Sequence, residues 1–587
     1  MPDFAHEKQI KKDAFETFVR IAIIIIAAGS ILAAIKCIFV GLQRDEEYAL
    51  TLSYRLIKGD RLLAQIWDPH QTSAFLLSAI EWIFIKITGG TTFLVLWCKI
   101  AGSLIHGLLA FYLYRTILFY TSKRNAFLLA VIYFGILPKD GVIPEFSLMM
   151  AWFITLIVIS LMRMNEYSKK GENKKIILQS VLLSLYSFGL VLSYPSCVIL
   201  IPFIYAFLII DRKKNPKAVL FVYPVVFVVL SALYAGYLLS YMSPEIILFN
   251  VKEALKANGS HEFGDSLRLT LFVRSALAFV IISTIAGGVS AAIVLTAKKI
   301  SGKANAKTTT LLQTGMCAVI LGTIAQVFFC AFRIFEYLYS YELCYYFWII
   351  GMALFILIAK RKEGENVLFF KAVILNLLGF LSVMMLTNLT IFTSIPYCIS
   401  GVVICLLAIM LRTGNKDTKT QRLALLMVLA VAFSTTFFKG FSYNSNDGYN
   451  WNVLRADKLV HAGPAKGIIL EYMTGCINES AIDDWNQYIE DGDSVLVWDV
   501  TSLYYMNKDV NIASYTTIST PTYYVDSLKA YWSENPDKYP DVIAVADWFG
   551  NDFRMTDYDH FLDWIENEFG ADEVCQSNYY RYYIRRR

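Results

Sequence analysis

Residues 21–48 read IAIIIIAAGSILAAIKCIFVGLQRDEEY, a long apolar run that ends in a cluster of charges. The apolar part is long enough to cross the hydrocarbon core of a bilayer as a helix. It is also longer than the core of a signal peptide, and no small-residue cleavage pattern follows it. The segment is therefore predicted to be a permanent membrane anchor that places Asp45 at a membrane surface.

The same apolar pattern recurs along most of the chain. Of the 587 residues, 56% are hydrophobic and 17% are charged, and the mean hydropathy is +0.50, values too apolar for a soluble protein. Segment 73–88 is short and contains Glu81 and Lys86, so it is predicted to be a juxtamembrane or partly inserted helix. Apolar runs of membrane length predict about 13 spans, at residues 17–40, 93–119, 125–138, 146–164, 175–193, 196–210, 218–242, 269–297, 309–330, 343–360, 367–387, 394–411 and 423–439.

The basic residues predict the orientation of these spans. Loops on the cytoplasmic side of a membrane protein are enriched in Lys and Arg, which predicts a cytoplasmic N-terminus and an extracytoplasmic C-terminal domain. The expected location is a bacterial plasma membrane. The net charge of +5 is spread over short loops, so no nucleic-acid partner is expected. The basic clusters are Lys8, Lys11 and Lys12; Lys123 and Arg124; Lys169, Lys170, Lys174 and Lys175; Arg212, Lys213 and Lys214; Lys298 and Lys299; Lys360, Arg361 and Lys362; and Arg412, Lys416 and Lys419.

The composition becomes that of a soluble domain near residue 440. Residues 495–498 and 542–546 are predicted to be buried strands, and amphipathic helices are predicted at 480–490, 525–534 and 558–569. Residues 1–440 are therefore predicted to form the membrane domain, with a first outer loop at 41–92. Residues 441–587 are predicted to form a small α/β domain.

The turn at 463–467 is predicted to be a plain turn, with phosphate binding as the alternative. Whether Cys476 and Cys575 form a disulfide is left open.

The outer loop contains three short motifs: Asp45-Glu46-Glu47-Tyr48, Gly59-Asp60 and Asp68-Pro69-His70-Gln71. Together they resemble the first outer loop of the GT-C superfamily of polyprenyl-phosphate-sugar-dependent glycosyltransferases, in particular its protein O-mannosyltransferase and aminoarabinose-transferase branches. The tyrosine comes one residue earlier here, and Asp-Pro-His stands where those families have Lys-Pro-Pro or His-Pro-Pro. The resemblance covers about residues 17–210. It implies a GT-C-like all-α membrane domain, a polyprenyl-phosphate sugar donor, membrane lipid around the site and a glycan, lipid or protein acceptor.

The chemistry of such a transfer suggests candidate residues in the first loop. An acceptor hydroxyl must lose a proton as it attacks the sugar, whereas the departing phosphate is already a stable anion and requires no acid. Asp45 is the predicted base, with Glu46 as the alternative. Glu145 matches a second acidic position of the family, although a carboxylate is also favoured at any helix N-terminus. No cofactor is expected, and a divalent metal ion is left open.

Lys99 is the most unusual charge in the sequence because it lies inside an apolar run. It is about seven residues from the outer end of that run, roughly 10 Å of helix. A buried ammonium requires a partner unless its side chain reaches the interface. A donor phosphate is the predicted partner and snorkelling is the alternative. Arg44 and His70 are further candidates for the phosphate, and His261, Tyr48 and Tyr194 are candidates for lining the cleft.

Two other classes of function are compatible with a charged multi-span protein. A transporter of polysaccharide or lipid-linked substrate would use Lys99 and Glu145 as pathway residues. An envelope polymerase or ligase would also act on lipid-linked substrates. Glycosyl transfer is favoured over both because the first loop is acidic, a separate α/β domain is expected on the outer side and the sequence has no repeated halves.

Overall fold

The structure, a computed structural model, describes residues 2–137, 141–259, 265–301, 307–331, 344–359, 364–386, 395–445, 448–450, 452–499, 501–517, 525–546 and 555–586. Within these ranges, the long helices precede the main sheet. They are α1 (Pro2–Phe39), α2 (Arg44–Lys58), α3 (Ala74–Thr88), α4 (Leu94–Ile117), α5 (Lys123–Gly135), α6 (Phe146–Lys169), α7 (Asn173–Ser193), α8 (Leu200–Ile210), α9 (Val219–Leu239), α10 (Pro244–Gly259), α11 (Asp265–Ser301), α12 (Lys307–Ala331), α13 (Cys344–Ala359), α14 (Asn366–Leu386), α15 (Ile399–Gly414) and α16 (Thr418–Phe441).

Ten helical segments in the described ranges are long and apolar enough to cross a membrane, so the chain is a multi-pass membrane protein. They correspond to ten of the predicted spans. Residues Pro195–Ile210 and Tyr345–Ala359 form shorter apolar helices. The remaining predicted span, at 125–138, is the 13-residue helix α5, about 20 Å long at 1.5 Å per residue. It is shorter than the hydrocarbon core and is largely buried among its neighbours.

The helices pack into one apolar core. Helix α1 lies against α16 and α4, and α6 lies against α7 and α4. The most buried spans are the stretch Ile395–Gly414 and α6, whereas few residues are buried in the spans Val219–Leu239 and Ala276–Ile300. A helix that is apolar on every side suits both settings, because lipid and protein interior are similarly apolar.

The first outer loop folds mainly into two helices. Four residues separate the end of α1 from the start of α2. Helix α2 is closed by Gly59, whose φ of 99° is the left-handed conformation common at helix C-termini. Segment 73–88 forms α3, which buries Leu77 and Glu81 and exposes Trp82, Ile83 and Ile87. An exposed apolar face of this kind is typical of a helix lying at a membrane surface.

The α/β domain follows the last long helix. Its five-stranded sheet has the order β6-β5-β7-β9-β8, in which β5 (Ser494–Trp498) is parallel to β6 (Asn511–Ile512) and β7 (Val542–Ala546). The tyrosine-rich strand β9 (Tyr580–Ile584) is antiparallel to β7 and β8 (Glu573–Gln576). The helices of the domain are α17 (Tyr472–Tyr488), α18 (Val525–Glu534) and α19 (Met555–Trp564). Short hairpins pair β1 (Tyr443–Ser445) with β2 (Gly448–Asn450) and β3 (Ala456–Leu459) with β4 (Ile469–Glu471).

The structure confirms the predicted fold class, a helical polytopic membrane domain followed by a small α/β domain. The two strands predicted in the centre of the domain are neighbours in the sheet. Helix α17 begins earlier than predicted. Cys476 and Cys575, whose pairing was left open, are both free thiols.

The outer loop and the α/β domain share a buried interface. Leu50 of α2, Val95 of α4 and Leu503 of the α/β domain belong to one apolar cluster. A buried charge network connects the same parts: Arg55 Nε lies 2.8 Å from Asp60 Oδ2, and Lys538 Nζ lies 2.6 Å from Asp60 Oδ1. The two charged partners of Asp60 hold the pKa of its carboxyl below its ordinary value, although burial alone would raise it. The α/β domain is therefore attached to the outer loop by both packing and charge.

The turn at 463–467 has a structural role at this interface. Its Gly463 and Pro464 carbonyls accept hydrogen bonds from the N–H groups of Phe93 (3.4 Å) and Val95 (3.1 Å), at the start of α4. Gly463 and Gly467 adopt φ values of 66° and 87°, which residues with a β-carbon rarely do. The turn thus caps α4, in agreement with the prediction of a plain turn.

Candidate functional site

The predicted acidic motif forms the first turn of α2. Asp45, Glu46 and Glu47 follow Gln43, which caps the helix. The N–H of Gln43 donates to Glu46 Oε2 at 3.2 Å, so the helix begins with a reciprocal capping box. Negative charge at this end of a helix is favoured by the helix dipole. Three consecutive carboxylates are thus compatible with the helix, and their neighbours determine what each can do.

Glu46 holds the loop that precedes α6. Its Oε1 accepts hydrogen bonds from the N–H groups of Val142 (2.9 Å) and Ile143 (3.1 Å). The side chain is buried, with 1% of its surface exposed. Because its two oxygens together accept three backbone hydrogen bonds, the arrangement favours a positioning role for Glu46 over its predicted alternative role as base.

Lys99 lies beside Glu46, inside the protein. Its Nζ donates to the backbone carbonyls of Gly41 and Cys37, the latter at 3.4 Å, and lies 3.9 Å from Glu46 Oε2. These carbonyls are at the C-terminal end of α1, where a cation is favoured. The buried Lys99 side chain therefore finds its partners within the protein, whereas the sequence analysis predicted a donor phosphate as its partner. Contact with a donor phosphate stays a prediction, but the burial of Lys99 no longer requires it.

Three of the predicted site residues, the phosphate candidate His70 and the cleft candidates Tyr48 and Tyr194, gather around Phe146, the first residue of α6. The His70 ring stacks on Phe146 with centroids 4.0 Å apart and planes 7° apart. The ring of Tyr194 is 5.2 Å from His70, and the ring of Tyr48 is 6.2 Å from Phe146. Residues from α2, from the outer loop and from the end of α7 therefore meet at one place, as their predicted location on one side of the membrane requires. Phe146 itself was not among the predicted residues.

Asp68 organises this cluster, although the sequence suggested no role for it. It accepts hydrogen bonds from the Tyr48 hydroxyl, from the His70 N–H at 2.9 Å and from Thr516 Oγ1 at 2.9 Å. Burial, followed by the charge of Asp68, raises the pKa of the Tyr48 phenol well above its ordinary value. Tyr48 therefore stays protonated and donates to Asp68. In the sequence, the position of Asp68 two residues before His70 was the one sign that Asp68 could belong to the site.

Glu145 caps helix α6. Its carboxylate accepts hydrogen bonds from the N–H groups of Ser147 at 2.8 Å and Leu148 at 2.7 Å. It is 1% exposed. This geometry favours the reading of Glu145 as a helix-terminal charge over a catalytic role.

Asp45 is the partly exposed member of the acidic triplet, whereas Glu46 and Glu47 are buried. It is close enough to Tyr48 to raise the pKa of that phenol. Arg44 precedes it and is also partly exposed. Asp45 is thus placed beside Tyr48 of the aromatic cluster, where a ligand can reach it. His261 lies outside the residues that the structure describes.

Glu47 points towards the α/β domain and is fully buried. Neither of its oxygens accepts a hydrogen bond of ordinary geometry from the residues described. Burial, and then the nearby carboxylate of Asp499, raise its pKa well above the ordinary value. Arg44 and the backbone of Leu503 offset this only in part. Asp499 itself accepts a hydrogen bond from Tyr580. Two carboxylates therefore meet at the domain interface.

This pair predicts that Glu47→Gln stabilises the protein at neutral and alkaline pH. With a raised pKa, the folded protein keeps a proton that the unfolded chain releases above about pH 4.3. Stability due to Glu47 is therefore full below that pH and is lost as the pH rises towards the folded pKa. We expect the variant to unfold about 2 to 4 °C higher at pH 8 and with little difference at pH 4.5. Thermal unfolding of the purified protein measures this.

The matched control is Glu566→Gln, which neutralises an exposed carboxylate of the α/β domain. It should leave the midpoint unchanged at both pH values. An unchanged or lower midpoint for Glu47→Gln at pH 8 would mean that Glu47 is ionised and well solvated in the folded protein.

Among the described residues, no group of three or more His, Cys, Asp or Glu side chains is placed to hold a metal ion. The acidic triplet does not converge, because Glu46 faces the loop at 142–143 and Glu47 faces the α/β domain.

No family model matches the chain, and no curated protein sequence matches it. Two solved structures that resemble it are crystal structures of the Archaeoglobus fulgidus oligosaccharyltransferase. The complex with Zn and sulfate is 12% identical, with a TM-score of 0.41, and the match covers 89% of this chain and 67% of that chain. The apo form is 12% identical with a TM-score of 0.41, and the match covers 92% and 70%. We draw no functional assignment from a likeness at this level.

Proposed function

We propose that this protein is a membrane glycosyltransferase. It transfers a sugar from a polyprenyl phosphate to a hydroxyl of an envelope glycan, lipid or protein, with inversion at the sugar carbon. The observation that carries the proposal is the cluster of Tyr48, His70 and Tyr194 around Phe146, next to the α/β domain. Asp45 lies close to Tyr48 of this cluster. The sequence motifs that resemble GT-C enzymes supply these same residues.

Asp45 is the proposed base. Its carboxylate takes the proton of the acceptor hydroxyl while the hydroxyl oxygen bonds to the anomeric carbon. The bond from that carbon to the phosphate oxygen breaks, and the polyprenyl phosphate leaves with the electron pair. The other two carboxylates of the triplet are less suitable because Glu46 accepts three hydrogen bonds and Glu47 is buried with a raised pKa.

Arg44 and His70 are the proposed contacts of the donor phosphate. Arg44 is the residue before the base and is partly exposed. The His70 ring is oriented by its stack on Phe146, and its backbone is fixed by Asp68. Such fixed orientation lets a group stabilise charge without reorganising during the reaction. Lys99 contributes indirectly in this scheme, by holding Glu46 and the end of α1.

The proposed location places α2 and the α/β domain on the extracytoplasmic side of a cell membrane. Donor, acceptor and released carrier then meet at one membrane surface, where the exposed apolar face of α3 lies beside the site. A lipid-borne donor can approach Asp45 there without leaving the bilayer.

A donor panel tests the function directly. Purified protein in proteoliposomes is incubated with polyprenyl monophosphates that carry different hexoses or pentoses, and released polyprenyl phosphate is measured by mass spectrometry. We expect turnover of at least one donor, with a product of inverted anomeric configuration by NMR. Pyrophosphate-linked sugars are the matched control and should not react. Binding of labelled glycolipid with flux across the vesicle and no cleavage would contradict the proposal and favour a transporter.

A further inference from the structure

A cavity of about 420 Å³ lies at the other end of the helical bundle, far from Asp45. Its walls include Arg115, Arg163, Lys170 and Lys175 together with Phe119 and Tyr167. Arg115 is in the last turn of α4, a helix about 35 Å long whose first turn contacts the α/β domain. The remaining cations lie near the end of α6 and the start of α7. The cavity therefore opens at the membrane surface opposite the proposed active site.

The cavity carries uncompensated positive charge. Glu172, the acidic residue of the lining, pairs with Lys175 at 3.0 Å. No carboxylate in the described part of the chain lies within ion-pair distance of Arg115, Arg163 or Lys170. Like charges held this close are unfavourable without an anion. The cavity thus has the electrostatics of an anion site.

Arg163 is already held in position. Its Nε donates to Thr116 Oγ1 at 2.9 Å, and its Nη1 donates to the Tyr167 hydroxyl at 3.3 Å. The guanidinium lies 4.2 Å from the centre of the Tyr112 ring. An arginine whose side chain is fixed in this way loses little freedom when it binds a phosphate.

An apolar stripe leads from the cavity along the lipid-facing side of α4. Leu104, Leu108 and Phe111 are exposed and follow one another at intervals of four and three residues. These intervals place them on one face of the helix, in line with Arg115 at the next interval of four. A ligand with a phosphate at Arg115 and an acyl chain along this stripe would match both surfaces.

We propose that this cavity binds the phosphate headgroup of an anionic phospholipid, with the acyl chains along α4. An anionic phospholipid and free inorganic phosphate could both place a phosphate anion in this cavity. The exposed apolar stripe favours a lipid over free phosphate, because free phosphate would leave that stripe unused. This site is separate from the proposed active site and does not depend on the proposed function.

The test compares two variants that remove the same charge. Arg115→Gln/Lys170→Gln changes two exposed cavity residues and leaves the packed Arg163 in place. Lys213→Gln/Lys217→Gln changes two exposed lysines in the turn between α8 and α9, outside the cavity lining. Delipidated protein is titrated with phosphatidylglycerol or phosphatidylcholine, and bound lipid is counted by native mass spectrometry. We expect the cavity variant to retain phosphatidylglycerol about tenfold less, with no change in the control variant or for phosphatidylcholine.

A charge-conserving variant and a competition experiment test the site and the identity of its ligand. Arg115→Lys keeps the charge and should keep binding. Equal retention by the parent and the cavity variant, or equal loss in both double variants, would overturn the site. Displacement of the lipid by millimolar inorganic phosphate would overturn the lipid assignment in favour of a free phosphate ligand. Equal thermal midpoints of the parent and variants confirm that folding is unaffected.

Discussion

Asp45→Asn should lower turnover by about two to four orders of magnitude while donor binding changes by only a few fold. The amide keeps the size of the side chain but cannot accept the proton of the acceptor hydroxyl. Turnover and donor affinity are measured separately, by release of polyprenyl phosphate and by lipid binding to the purified protein. The loss should appear in kcat, because the interaction removed exists mainly in the transition state.

Three further variants make this result specific. Asp45→Glu restores a base at a slightly different position and should recover part of the rate. Asp491→Asn removes an exposed aspartate on the α/β domain and should have no effect. Undiminished turnover in Asp45→Asn would exclude Asp45 as the base, and the same measurement on Glu46→Gln would then follow. In the parent protein, kcat/KM should fall at acidic pH as the base becomes protonated. In Asp45→Asn this fall should be absent.

Glu46→Ala should be the most destabilising single change in the outer loop, by about 3 to 5 kcal/mol. It leaves the buried Lys99 without its carboxylate and leaves the N–H groups of Val142 and Ile143 without an acceptor. The loop before α6 would then lose its attachment to α2. The unfolding free energy in mixed micelles or bicelles measures this effect.

Lys99→Met supplies the comparison. Glu46 would keep its three backbone donors, so we expect a smaller loss of stability than in Glu46→Ala. The double variant Glu46→Gln/Lys99→Met should be more stable than the sum of the two single changes predicts, because neither charge is then left alone. A Lys99→Met protein of parental stability that no longer binds polyprenyl phosphate would contradict this account. Lys99 would then be a donor contact, as the sequence first suggested.

The membrane architecture was predictable because the bilayer constrains the sequence locally. Each span must satisfy its backbone within one helix and must be apolar over about 20 residues. In the part of the chain that the structure describes, ten helical segments meet that requirement, and each was predicted from its composition. Three predicted spans are shorter than the rule requires: α5, Pro195–Ile210 and Tyr345–Ala359. Helix α5 is largely buried by its neighbours. The central strands of the α/β domain were predictable for a similar reason, since short apolar runs between polar turns carry their own signal.

The aromatic cluster was predictable only in part. His70, Tyr48 and Tyr194 were suggested by motif and by membrane side, and they lie together. Phe146 and Asp68 were missed because an aromatic residue at the start of an apolar helix and an aspartate before proline are ordinary features of a sequence. Their importance comes from residues far away along the chain, such as Thr516.

The sequence by itself determined that this is a multi-pass membrane protein with an α/β domain after the last span, and it supplied the three consecutive carboxylates of the acidic motif. Only the tertiary structure decided what each carboxylate of the acidic triplet does. Successive residues of a helix point about 100° apart, so Asp45, Glu46 and Glu47 meet different neighbours although they are adjacent in the chain. Glu46 meets the backbone of the loop at 142–143, Glu47 meets Asp499, and Asp45 is left partly exposed beside Tyr48. Hydrophobicity is a property of a segment, whereas a charge acquires its role from the particular groups packed around it.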